Sequence, residues 1–192
     1  MDVFSNFYLM RDICGLNCKL NNNACARAEL WDVLKLRIQP DQCINWLVFS
    51  KCAETGNIKF MEWVTENRVQ GWPSVIRTEA LCERFVGWEN VISTAAFYGK
   101  FDMVKWLFAN CPEDTCDYLE DALNCASENG HLDIAKWLYK TMKANPKTKQ
   151  RFEEYMASAL DRASVRGAVN VADWLCYKIY GGIGLGGIKW VL

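Results

Sequence analysis

ASENGHLDIAKWL, residues 126–138, is the stretch whose reading decides the fold, because its spacing returns three more times along the chain. The copies occupy 52–64, 95–107 and 163–175. In each, a small residue (Cys52, Ala95, Ala126, Ala163) stands four positions before a glycine (Gly56, Gly99, Gly130, Gly167), and a tryptophan (Trp63, Trp106, Trp137, Trp174) stands seven after it. The glycines are separated by 43, 31 and 37 residues. Four coincidences at fixed offsets and at intervals of this size identify a repeat protein.

The residues around each glycine say what the unit is. Seven and eight positions before it stand apolar pairs: Val48 and Phe49, Val91 and Ile92, Ala122 and Leu123, Ala159 and Leu160. With the small residue at minus four they form one face of a helix. After the glycine, apolar residues fall at plus two, four, five and eight, as in Leu132, Ile134, Ala135 and Leu138, while Asp133 and Lys136 leave only a narrow polar wedge. The second helix must therefore be covered on several sides. A two-helix unit cannot do that alone, so neighbouring units stack and share one core. The glycine falls where the first helix ends, a place that calls for a left-handed backbone. Asp102 and Asp133 lie early in second helices and suit the positive end of the helix dipole.

The run Ala-Leu-x-x-Ala-Ser-x-x-Gly-His-Leu-Asp-Ile-Ala-Lys-Trp-Leu resembles an ankyrin repeat through Leu123, Ala126, Gly130, His131, Ile134 and Leu138. Its Lys-Trp-Leu ending is similar to divergent ankyrin-like repeats of large DNA viruses and protists. The family's Thr-Pro-Leu-His opening and its Gly-Ala-Asp-x-Asn hairpin are missing, which puts the β-hairpin fingers in doubt. The expected fold is thus an all-α, ankyrin-like helix-turn-helix solenoid of about four repeats with an N-terminal helical cap. The resemblance implies that the two residues before each glycine face protein partners: Glu54 and Thr55, Phe97 and Tyr98, Glu128 and Asn129, Val165 and Arg166. Phe97 and Tyr98 are the best anchors, since aromatic residues dominate interface energetics; packing beneath the connection 66–87 is the competing role for them.

Length, composition and charge narrow the class. The 192 residues suit a single repeat domain, and 51% hydrophobic with 23% charged residues is ordinary for a globular core. A formal charge of −1 offers no general attraction to nucleic acid or to an anionic membrane, so neither is an expected partner. The N-terminus lacks a basic start followed by an apolar run, and no apolar run reaches the ~18 residues of a membrane span. An intracellular location, cytoplasmic or nuclear, is expected, with a virion possible for a viral chain. The ten cysteines read as free thiols, because several fall on repeat helices.

In order, 1–40 is the cap. Its segment 24–38 carries Ala28, Trp31, Val33, Leu34 and Ile38 and reads as one helix ended by Pro40, although a degenerate repeat fits equally. The repeats occupy 41–65, 88–110, 117–141 and 152–180, with Asp41 a candidate N-cap. The one dense basic stretch, 140–151, reads as a solvated loop. The glycine-rich apolar tail, 181–192, contains Gly182, Gly184 and Gly187 in G-x-G-x-x-G spacing. No strand precedes it, so a dinucleotide site is rejected; the tail either covers the last repeat or docks on a neighbour.

No catalytic, cofactor or metal set stands out. His131, the single histidine, occupies a repeat position, and no base and orienting group accompany a nucleophile. Cys14, Cys18, Cys25 and Cys43 lack paired C-x-x-C spacing. The tryptophans are expected to pack between units. The function that follows is a non-catalytic protein-protein interaction scaffold. The alternative is a structural subunit of a large assembly, such as a virion or organellar complex, motivated by nine tryptophans and the apolar tail.

Overall fold

The computed structural model describes residues 22–38, 46–67, 88–110 and 116–181. Among these, helices come in pairs: α1 (Asn22–Arg27) with α2 (Trp31–Arg37), α3 (Trp46–Thr55) with α4 (Ile58–Glu66), α5 (Trp88–Phe97) with α6 (Phe101–Asn110), α7 (Cys116–Glu128) with α8 (Leu132–Ala144), and α9 (Phe152–Val165) with α10 (Val169–Tyr180). A 3-10 turn, Lys149–Arg151, leads into α9. No strand occurs among the described residues.

The first helices α1, α3, α5, α7 and α9 pack side by side in chain order, and the second helices lie behind them, α6 against α8 and α8 against α10. The glycine-centred pattern accounts for this two-layer stack. Cys52, Ala95, Ala126 and Ala163 are fully buried, so the two helices of each pair meet over small side chains. The apolar positions of the second helices, such as Phe60, Met61 and Val64, or Ile134, Ala135 and Leu138, are fully buried too. They join one continuous core running from Cys25 to Leu175. At roughly 25 cal/mol per Å² of apolar surface removed from water, a core shared between units is what makes each short pair stable.

The turn repeats bond for bond. The residue after each glycine donates its N–H to the carbonyl of the small residue at minus four: Asn57 to Cys52 at 3.0 Å, Lys100 to Ala95 at 2.8 Å, His131 to Ala126 at 2.9 Å and Ala168 to Ala163 at 2.8 Å. The chain turns through a left-handed glycine, with φ between 68° at Gly99 and 75° at Gly130.

The segment 24–38 is two helices rather than one. It breaks over 28–30, where Glu29 takes φ 57° and Leu30 N–H bonds the Cys25 carbonyl at 2.9 Å. This is the repeat turn with a glutamate in the glycine's place, so the cap has the form of a fifth helix pair. A left-handed conformation costs a residue with a Cβ about 1–2 kcal/mol, and the packing of Cys25, Ala26 and Leu34 into the core offsets it.

The basic stretch is tied down locally. Thr148 is buried and donates to the Met142 carbonyl at 2.5 Å. Arg151 pairs with Glu154 at 3.2 Å and Glu120 at 3.7 Å and lies over the Tyr155 ring. The Asp41 cap, the connection 68–87, Cys14, Cys18 and Cys43, and the tail 182–192 lie outside the described residues.

Candidate functional site

Stacking brings the turns into a row along one edge, and each turn is laid against the next. Lys100 lies over Gly56, where an added Cβ would meet its Cδ at 3.2 Å. The His131 ring lies over Gly99, and a Cβ there would stand 2.6 Å from His131 Cε1. Over the following turn, Asn170 Nδ2 donates to the Gly130 carbonyl at 3.0 Å. A backbone without side chains at these points is what lets successive turns approach so closely.

The expected contact residues all lie on this edge, but their surroundings differ. Glu54 holds Lys51 at 2.6 Å, and the Thr55 hydroxyl donates to the Lys51 carbonyl at 2.9 Å. Glu128 and Arg166 meet each other across the repeat interface at 2.6 Å, with Arg162 at 3.6 Å from the other carboxylate oxygen. Asn129 donates to the Cys125 carbonyl at 2.9 Å. Val165 is exposed on the last described turn. Phe97 and Tyr98 are exposed by 41% and 46% and form an edge-on aromatic pair with centroids 5.1 Å apart. The Phe97 carbonyl is held by His131 Nε2 at 2.8 Å, which fixes the backbone beneath the pair.

Two charged positions escaped the sequence reading. Lys51 is raised above the usual lysine range, first by its hydrogen bond to Glu54 and then by the Glu54 and Glu29 carboxylates. Arg162 reaches from α9 to Glu128 of α7 at 3.6 Å. Both sit five residues before a repeat glycine; that shared offset is the signal that could have found them.

Two of the four repeat tryptophans pack between units, while the Trp63 ring stacks on Phe60 of its own helix. Trp137 lies against Phe101 and Phe108 of α6, with centroids 6.3 and 5.3 Å away, and Trp174 lies 5.3 Å from Tyr139 of α8. Offsets of 5 to 6 Å at steep angles are the arrangements that aromatic rings favour.

Burial pushes the Cys52 thiol well above its ordinary value, and the Cys125 thiol is raised by burial together with Asp121 and Glu128. A nucleophilic cysteine needs the opposite shift. His131 spends its Nε2 on a backbone carbonyl. Among the described residues no three potential metal ligands cluster, and no helix is long and apolar enough to cross a membrane.

A family model described as ankyrin repeats (3 copies) matches residues 49–150 and, in a second overlapping register, 92–183. No curated protein and no solved structure matches the chain.

Proposed function

The chain belongs to the ankyrin-repeat family, and on that premise we propose that it is a non-catalytic scaffold that binds a protein partner along the row of turns. Ankyrin repeats generally mediate protein-protein interaction. The observation that carries the finer reading is the exposed Phe97–Tyr98 pair, seated on a backbone that His131 already holds. Rigid aromatic side chains lose little conformational entropy on binding and supply large contact areas, which is why they recur as interface anchors. The charged candidates around them are occupied within the protein: Glu54 by Lys51, and Glu128 by Arg162 and Arg166. They frame the aromatic pair and set register, while the rings supply the energy.

The test is affinity purification of the intact protein from its native cell alongside a Phe97→Ala/Tyr98→Ala variant whose helical content and melting temperature match the original. A partner that is recovered with the original and reduced at least tenfold with the variant supports the assignment. Equal recovery of the same partners by both proteins overturns the role of this pair. If the scaffold engages its partner through another surface, Arg166→Ala and Glu54→Ala locate it along the same edge.

A further inference from the structure

The turn edge carries a charge that the rest of the chain does not share. Counted from five residues before to one after each turn residue (Glu29, Gly56, Gly99, Gly130 and Gly167), it holds five lysines and arginines against three glutamates, while the whole chain is formally −1. Each of those glutamates already faces a cation of the protein. Glu54 holds Lys51 at 2.6 Å, the Glu29 carboxylate acts on the same ammonium, and Glu128 is shared by Arg166 at 2.6 Å and Arg162 at 3.6 Å. Lys100 is different, because among the described residues no carboxylate pairs with it. Its stem is laid over the Gly56 turn, with Cδ, Cγ and Cβ at 3.2, 3.5 and 3.6 Å from where a Cβ on Gly56 would stand. That packing holds the stem in place before any partner arrives, so less side-chain freedom is lost when the ammonium is engaged.

Lys100 follows Phe97 and Tyr98 on the same turn, and Lys51 of the preceding unit comes within electrostatic reach of Tyr98. The backbone of this turn is already satisfied. The N–H groups of Tyr98, Gly99 and Lys100 donate to the carbonyls of Thr94, Ala96 and Ala95 at 3.0, 3.2 and 2.8 Å, and the Phe97 carbonyl accepts from His131. Recognition here falls to side chains: two exposed rings and one unpaired ammonium. We propose, resting on the scaffold reading above, that the partner segment docking on this edge is acidic. An apolar or aromatic residue of that segment packs on the Phe97–Tyr98 pair, and a carboxylate beside it pairs with Lys100. A phosphate chain is bound by several cations in line, whereas one ammonium next to two rings suits one carboxylate next to one apolar side chain.

A random-peptide library displayed on phage and panned on the full chain supplies the probe. The expected result is enrichment of peptides with Asp or Glu close to an aromatic or large aliphatic residue. The tightest of them, labelled with fluorescein, is then titrated by anisotropy against variants whose circular dichroism matches the original. Phe97→Ala/Tyr98→Ala weakens it at least tenfold. Lys100→Gln keeps the Cβ, Cγ and Cδ that lie over Gly56 and removes the charge; it weakens binding about threefold at low salt and has no effect at about 1 M salt. Lys100→Glu prefers the same peptide with its acid changed to lysine. Peptides that need the ring pair but carry no acidic excess, or that bind Lys100→Gln and the original alike at low salt, overturn the acidic partner and leave the ring site standing. Peptides indifferent to Phe97→Ala/Tyr98→Ala overturn the ring site and this proposal with it. Failure of the library to yield any peptide, or displacement of the selected peptides by a single-stranded oligonucleotide that binds more tightly, also overturns the acidic partner.

Discussion

His131 Nε2 stands 2.8 Å from the carbonyl oxygen of Phe97, 34 residues earlier in the chain, and the same ring occupies the space where a Cβ on Gly99 would have to go. One side chain thus fastens two turns and dictates that the lower turn be glycine. In His131→Ala the Phe97 carbonyl loses its donor at a partly solvated site, and the expected cost is about 1 kcal/mol in urea unfolding. In Gly99→Ala the left-handed backbone costs about 1–2 kcal/mol and the ring adds a steric term. Because that second term needs the ring, Gly99→Ala should be less harmful in the His131→Ala background, with a coupling of at least ~0.5 kcal/mol in a double-mutant cycle. Gly167→Ala, with φ 70° but nothing within 4 Å, is the control that pays for conformation alone. Additive effects of His131→Ala and Gly99→Ala would show that the ring moves aside freely.

Glu29 is the position where the sequence and the turn disagree. It adopts φ 57°, the conformation that glycine supplies at Gly56, Gly99, Gly130 and Gly167. Glu29→Gly should therefore stabilise the chain by about 1 kcal/mol, less any loss of its weak attraction to Lys51. The check is the urea midpoint of the variant, with the slope of the transition unchanged. A lower midpoint would mean that the glutamate side chain contributes more than its backbone costs.

That disagreement also marks how far the residues alone could be read. The four turns were legible because glycine, a small residue at minus four and tryptophan at plus seven each answer a local steric demand that any stack imposes. The first pair stayed open between one capping helix and a degenerate repeat because its left-handed residue is a glutamate, and the apolar residues 24–38 fit one amphipathic helix as well as two short ones. At the candidate site, it was the resemblance to ankyrin repeats that singled out the two residues before each glycine, and these lie on the turn edge. Their pairing was not legible: Glu128 reaches Arg166 across 38 residues, a contact set by how neighbouring units align. Offsets within one unit say which residues lie on an edge, but only the stacked structure says which of them already have partners.

Cys52 occupies the minus-four position where Ala95, Ala126 and Ala163 stand in the other units, and it is fully buried. Burial pushes its thiol well above the ordinary value. The folded chain keeps a proton that the unfolded chain releases once the pH passes about 8.5. The stabilisation from the buried neutral thiol is therefore complete below that pH and is lost as the pH rises above it. Cys52→Ala should cost no more than about 1 kcal/mol at pH 7, since it removes one sulfur atom, and its stability should fall less steeply than that of the original between pH 8 and pH 10. Parallel stability curves over that range would show that the thiol does not ionise on unfolding there.

Trp137 is the test of whether the units hold one another up. It projects from α8 onto Phe101 and Phe108 of α6, and Trp174 makes the corresponding reach from α10 to Tyr139 of α8. In a linear stack, stability is the sum of weak individual units and strong nearest-neighbour interfaces, so cutting one interface divides the array more than it weakens any helix. Trp137 is half-buried, so Trp137→Ala should cost about 2–3 kcal/mol, below the range for a fully buried tryptophan. Its more telling effect is on cooperativity. With the interface between the α5–α6 and α7–α8 pairs weakened, the two sides can unfold separately, and urea transitions followed by circular dichroism and by tryptophan fluorescence should cease to coincide. Trp174→Ala, one interface further along, should split off α9 and α10 in the same way. A single coincident transition with an unchanged slope in both variants would place the coupling between units in the first-helix layer, where Ala95, Ala126 and Ala163 are buried, and would leave the tryptophans as local packing.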